Sequence, residues 1–224
     1  RHANQQRLVQ ERGREGRSRQ DKLQAVKARA ACLTLDAEAQ KNVDDKRAQL
    51  RHNAAEVLGR LTSHDDIAQL TSDASWTRLL ASVEGLAETV EVSGKLAWKS
   101  HIDGQGALED PAWLRDRAPS TPMNDAAIVA YQRHYSAYAG LVKLALPRSA
   151  EDMTQLSQLI TACRVEAAKI TYDVPADVQS FFQAIQAGVA TLASLTPGVL
   201  EWLAVNGQLE RYRMRRVGQC LWRL

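Results

Sequence analysis

The feature that most constrains this chain is the run from Thr121 to Leu146. In it Ile128, Tyr131, Tyr135, Tyr138, Val142 and Leu146 recur at steps of three or four residues. That spacing lines one face of an α-helix and matches no face of a strand. Thr121 can accept from the first free N–H groups, and Pro122 suits the first helical position, where its missing N–H costs nothing. Pro147 ends the run. Arg133 falls opposite the stripe. The spacing therefore predicts an amphipathic core helix near the middle of the chain. Its three tyrosines could form a platform for nucleobases. Aliphatic neighbours on the same face favour core packing, with Tyr131, Tyr135 and Tyr138 largely buried.

The same period runs through nearly every other segment. Trp76, Leu79, Leu80, Val83, Leu86, Ala87 and Val90 mark a helix that ends at Gly94 or continues to Ile102. Asp110-Pro111 opens a short one. Ser149 and Asp152 form a capping box before Met153 to Ile170, Pro175 starts a helix running to Leu195, and Thr196-Pro197 starts another that closes at Asn206-Gly207. The expected fold class is all-α: an irregular helical bundle with a long coiled-coil-like N-terminal helix, in which one terminal strand is allowed.

Residues 1–61 read as a basic arm followed by that helix. Leu23, Val26, Ala30 and Leu33 step at helical spacing, and so do Val43, Leu50, Ala54, Val57 and Leu61. Between them Asp36 to Lys41 is polar, so the seam slips, and the segment is one long helix or a helix pair. The stripe is narrow, as in a coiled coil, so Leu50 and Val57 are candidate contacts for a partner or a second copy. Residues 62–207 form the helical bundle domain and 208–224 a basic tail. In that tail Arg211, Arg213 and Arg215 alternate with Tyr212 and Met214, a period of two that suits a strand.

Charge is slight overall, +3, but the two ends are basic. Arg12, Arg14, Arg17 and Arg19 at one end, and Arg211, Arg213, Arg215 and Arg216 at the other, are candidate phosphate contacts. The rival reading of the first group is a solvated helix start. Of the tail arginines, the rival reading is a row that protects an exposed strand edge.

No catalytic constellation or cofactor motif stands out: there is no Walker motif, HExxH or GxSxG. His64 beside Asp65 and Asp66 resembles part of a metal site, but adjacent helical residues diverge and cannot converge on one ion. Cys32, Cys163 and Cys220 are widely spaced, which disfavours zinc and a disulfide framework, and Cys163 reads as a small core residue. The three cysteines fit a cytoplasmic setting, and no apolar run is long enough to span a membrane. The opening Arg1-His2-Ala3 suggests part of a longer protein. The expected function is a non-catalytic helical interaction or assembly module of a larger complex. It would bind a protein partner or a second copy through its N-terminal helix. The alternative is a sequence-independent DNA- or RNA-binding module that uses the basic ends, accessory to an ATPase or nuclease outside this window.

Overall fold

The computed structural model describes residues 2–61 and 74–209. Among them it contains eight α-helices, one short 3-10 turn and no strand, so the fold is all-α. The helices are α1 His2–Ala30, α2 Ala37–Leu61, α3 Ala74–Gly104, α4 Pro111–Arg117, α5 Pro122–Val142, α6 Ala150–Ala167, α7 Ala176–Gln186 and α8 Pro197–Val205. The expected terminal strand, the tail arginines and the Ser63–Asp66 segment lie outside the described residues. The chain forms two compact units, Arg1–Gly106 with Gly140–Leu156, and Ala107–Ala139 with Ser157–Leu224.

In the first unit α3 packs against both α1 and α2. The helical seam breaks where the polar interval begins. α1 ends at Ala30, and Asp36 restarts the helix by accepting from the Ala39 N–H at 2.7 Å. The N-terminal segment is thus a pair rather than one continuous rod. Leu23 and Val26 of α1, Val43 of α2, and Leu86, Ala87 and Val90 of α3 form its core. Arg19 reaches Glu84 at 3.6 Å, and Arg78 reaches Glu56 at 2.8 Å. Residue numbers rise together along α1 and α3 and oppositely along α2 and α3, so α1 and α3 are parallel and α2 is antiparallel to both.

α3 does not stop at Gly94. A Cβ there would stand 2.8 Å from Leu146 Cδ2 and 3.5 Å from Ala30 Cβ, so the glycine permits a close approach inside a continuous helix. α5, conversely, stops at Val142, four residues short of where the stripe predicted. Leu146 belongs to the turn that follows, and it packs on Gly94 while remaining 1% exposed. Carbonyls in this turn are satisfied by side chains. The Trp98 indole donates to Leu144 O at 3.0 Å, and the Arg29 guanidinium donates to Leu146 O at 2.9 Å and Pro147 O at 3.3 Å. α6 then starts over Asp152. Its carboxylate folds back to accept from the Arg148 N–H at 2.7 Å and from the Arg148 guanidinium, rather than forming a simple box with the Ser149 side chain.

In the second unit, Leu114 of α4, Ala127, Ile128 and Tyr131 of α5, and Cys163 of α6 share a core with Ile170. Thr121 caps α5 as expected, accepting from the Asn124 N–H at 3.2 Å. Asn124, 1% exposed, pairs its amide with the backbone of Thr171 in both directions and donates to Pro119 O as well. A further core joins Val174, Val178, Phe181 and Phe182 to Val199 and Leu203. α7 ends at Gln186, where the sequence had predicted continuation to Leu195. Gly188 takes φ 69°, and the Val189 N–H returns to Ala184 O, a Schellman closure. Asn206-Gly207 closes α8 in the same way, as its sequence predicted.

Candidate functional site

The faces of α2 and α3 that turn away from the α1 side chains enclose a groove of about 650 Å³. α2 contributes Glu38, Ala39, Asn42, Asp45 and Lys46, and Asp36 sits at its start. α3 contributes Glu88, Thr89, Val92, Ser93 and Leu96. Steps of three and four on each helix put these residues on one face per helix. Val92 and Leu96, one helical turn apart, are 57% and 58% exposed and together make an apolar strip on the groove floor. They lie on the side of α3 opposite to Val83, Leu86 and Val90, which are turned into the core.

Four carboxylates rim this floor: Asp36, Glu38, Asp45 and Glu88. Among the described residues none of them forms an ion pair, whereas neighbouring acids do. Asp44 holds Arg47 at 2.8 Å, and Glu91 holds Lys95 at 2.6 Å, which lowers the Glu91 pKa. Among the described residues Lys46 is the one cation lining the groove.

A smaller hollow of about 380 Å³ lies in the second unit between Asp110, Pro111, Ala112 and Arg115 on one side and Gln132, Tyr135 and Ser136 on the other. It touches the tyrosine row. Tyr131 is 1% exposed, and its hydroxyl donates to Glu109 O at 2.7 Å. Burial pushes its phenol above the ordinary tyrosine range. Tyr135 and Tyr138 are only half-buried, so the expectation of three buried rings holds fully for the first alone. Tyr131 and Tyr135 stack on each other, with centroids 6.0 Å apart.

The N-terminal arginines separate into two faces of α1. Arg12 and Arg19 both engage Glu15, at 3.0 and 2.9 Å. Arg14 and Arg17 lie together on the other side, exposed and without a carboxylate partner among the described residues. Arg211, Arg213, Arg215 and Arg216 lie outside the described residues. Val57 is buried within its own chain, 4% exposed, and Leu50 packs half-buried on the α1–α2–α3 core. Of the stripe expected to await a partner, these two positions are thus occupied in the folded chain. Cys163, 0% exposed, is the core thiol that its sequence context suggested, and burial pushes its pKa up to about 11. No group of three or more metal-ligating side chains comes together among the described residues, and none of their helices is long and apolar enough to cross a membrane.

The sequence pattern does not mark the groove, although it carries one signal for it. Val92 and Leu96 form an apolar pair on the wrong side of a helix whose core stripe is already complete. Comparisons with protein-family models, curated proteins and solved structures returned no match for this chain.

Proposed function

We propose that the chain is a non-catalytic helical docking and assembly module whose working surface is the α2–α3 groove. The observation that carries this reading is the pair Val92 and Leu96, held more than half exposed on the floor of a concave surface between two long helices. Helix-in-groove recognition uses apolar anchors at this spacing, and leaving them in water has a cost that a partner would remove. The partner meets the N-terminal helices at this groove rather than through Leu50 and Val57, which pack inside the unit. Free thiols at Cys32 and Cys163 support a reducing, cytoplasmic setting. The test is Val92→Asp with Leu96→Asp, tagged and recovered from the native host. A protein that co-purifies stoichiometrically with the parent should be lost from the double variant, whose helical circular dichroism and melting temperature stay unchanged. Equal retention by the double variant would reject the groove as the working surface.

A second reading rests on Arg14 and Arg17, exposed on one face of α1 and free of carboxylates among the described residues. They would contact nucleic-acid phosphates without reading sequence. Arg14→Gln with Arg17→Gln should then weaken duplex binding for any sequence and reduce its salt slope by up to about two ion-release units. An unchanged slope would remove α1 from such a role.

A further inference from the structure

The docking reading leaves the partner's chemistry open, and the rim of the groove narrows it. From Glu88 to Leu96 the α3 wall runs over eight residue steps, about 12 Å at 1.5 Å per residue, or roughly two helical turns. Along that length Asp36, Glu38, Asp45 and Glu88 present four carboxylates against the single ammonium of Lys46 among the described residues. The chain as a whole carries +3, so this surface opposes the sign of its own net charge. Local ion pairs neutralise Asp44, Glu56, Glu84 and Glu91, all on the same two helices, but leave the rim acids unpaired among the described residues. An acidic occupant would face like charge on both walls, and a purely apolar one would leave the rim carboxylates partly desolvated with no counter-charge.

Resting on the docking reading, we infer that the groove takes a basic amphipathic helix from a partner protein. Two aliphatic side chains four residues apart on that helix meet Val92 and Leu96, and flanking lysines or arginines meet Glu38 and Asp45 on one wall and Glu88 on the other. The aliphatic pair supplies most of the affinity through burial, and the charges set partner choice, orientation and association rate. An arginine would serve better than a lysine wherever one guanidinium can bridge two carboxylate oxygens.

The test uses the full chain and three stapled helical peptides of about 14 residues, long enough to fill the groove with a turn to spare at each end. One carries leucines four apart flanked by lysines, the second replaces the lysines by glutamates, and the third replaces the leucines by serines. The leucine–lysine peptide should bind saturably at one per chain. The other two should bind at least about tenfold more weakly, a typical cost of losing a central anchor pair or reversing the charge match. Glu38→Lys with Glu88→Lys should weaken the leucine–lysine peptide and strengthen the leucine–glutamate one. Leu200→Asp with Val205→Asp, on exposed aliphatics of α8, should change neither. Equal binding of both leucine peptides, or no swap of preference in the charge-reversed chain, overturns the basic-partner inference. If the native partner is still lost from Val92→Asp with Leu96→Asp, the docking reading survives that failure. Retention of that partner overturns both.

Discussion

In residues 2–106 the buried side chains are mostly aliphatic and spread thinly along helices of 25 to 31 residues. Leu23 and Val26 serve α1, Val43 serves α2, and Leu86, Ala87 and Val90 serve α3. In residues 174–203 the core is concentrated instead. Phe181 and Phe182 sit with ring centroids 5.5 Å apart, and Phe182 meets Trp202 edge-on at 5.8 Å. The helices around them are only 11 and 9 residues long. A short helix gains little from its own hydrogen bonds, so its stability must come from a few large side chains and from well-closed ends. A long helix can distribute the same task over many small contacts. The first region should therefore fail gradually under substitution, and the second should fail at single positions.

The largest effect should come from the aromatic node. Phe182→Ala should destabilise by about 3–5 kcal/mol, the range for truncating a large buried aromatic, measured by urea unfolding with tryptophan fluorescence. Leu23→Ala in the long-helix region should cost less, about 2–3 kcal/mol. Equal costs would erase the contrast between concentrated and distributed cores. Gly94 is the exception within the long helices. Gly94→Val must push Leu146 off the helix surface and should cost about 1–3 kcal/mol as overpacking. A neutral result would mean that the turn at 143–147 yields easily, and calorimetric melting would reveal it.

Asp152→Asn should cost about 1 kcal/mol by weakening the closure of α6. The hydrogen bond from Arg148 holds the Asp152 carboxyl below the usual carboxylate range. A lowered folded-state pKa gives stability that is present above the unfolded carboxylate value and is lost as pH falls through the folded one. The gap between parent and Asp152→Asn should accordingly be widest near neutral pH and close in acid. A gap independent of pH would assign the effect to packing. Arg78→Gln, which removes an exposed pair with Glu56, should shift stability by less than about 1 kcal/mol, and added salt should shrink even that.

The sequence displayed whatever is local. Thr121 caps its helix as its sequence predicts, and the helix starts expected at Asp110-Pro111 and Thr196-Pro197 are capped by Asp110 and Thr196, because a cap is settled within four residues. The all-α class followed from period alone. What period and caps do not show depends on distance or on a coincidence of pattern. Val189 and Leu192 continue the helical spacing of Val178, Phe181, Phe182 and Ile185, so period alone carries α7 past Gly188. In the fold both are exposed, at 63% and 57%. Leu146 likewise kept the α5 period after the helix had ended. The partners of Asn124 and Arg29 lie 47 and about 118 residues away, and no local pattern signals them. The groove needed both α2 and α3 in place, since four scattered carboxylates become one rim only when two helices run antiparallel.

Cys163 has a use beyond its place in the α4–α6 core. Its thiol is fully enclosed, and its proton is held more firmly than that of an ordinary cysteine, so the native chain offers an alkylating reagent neither access nor thiolate. Each labelling event at this sulfur must wait for the surrounding helices to part. The rate of its modification is then a clock for how often that part of the molecule opens. The half-exposed Cys32, in the turn between α1 and α2, supplies a reference that reacts without such opening.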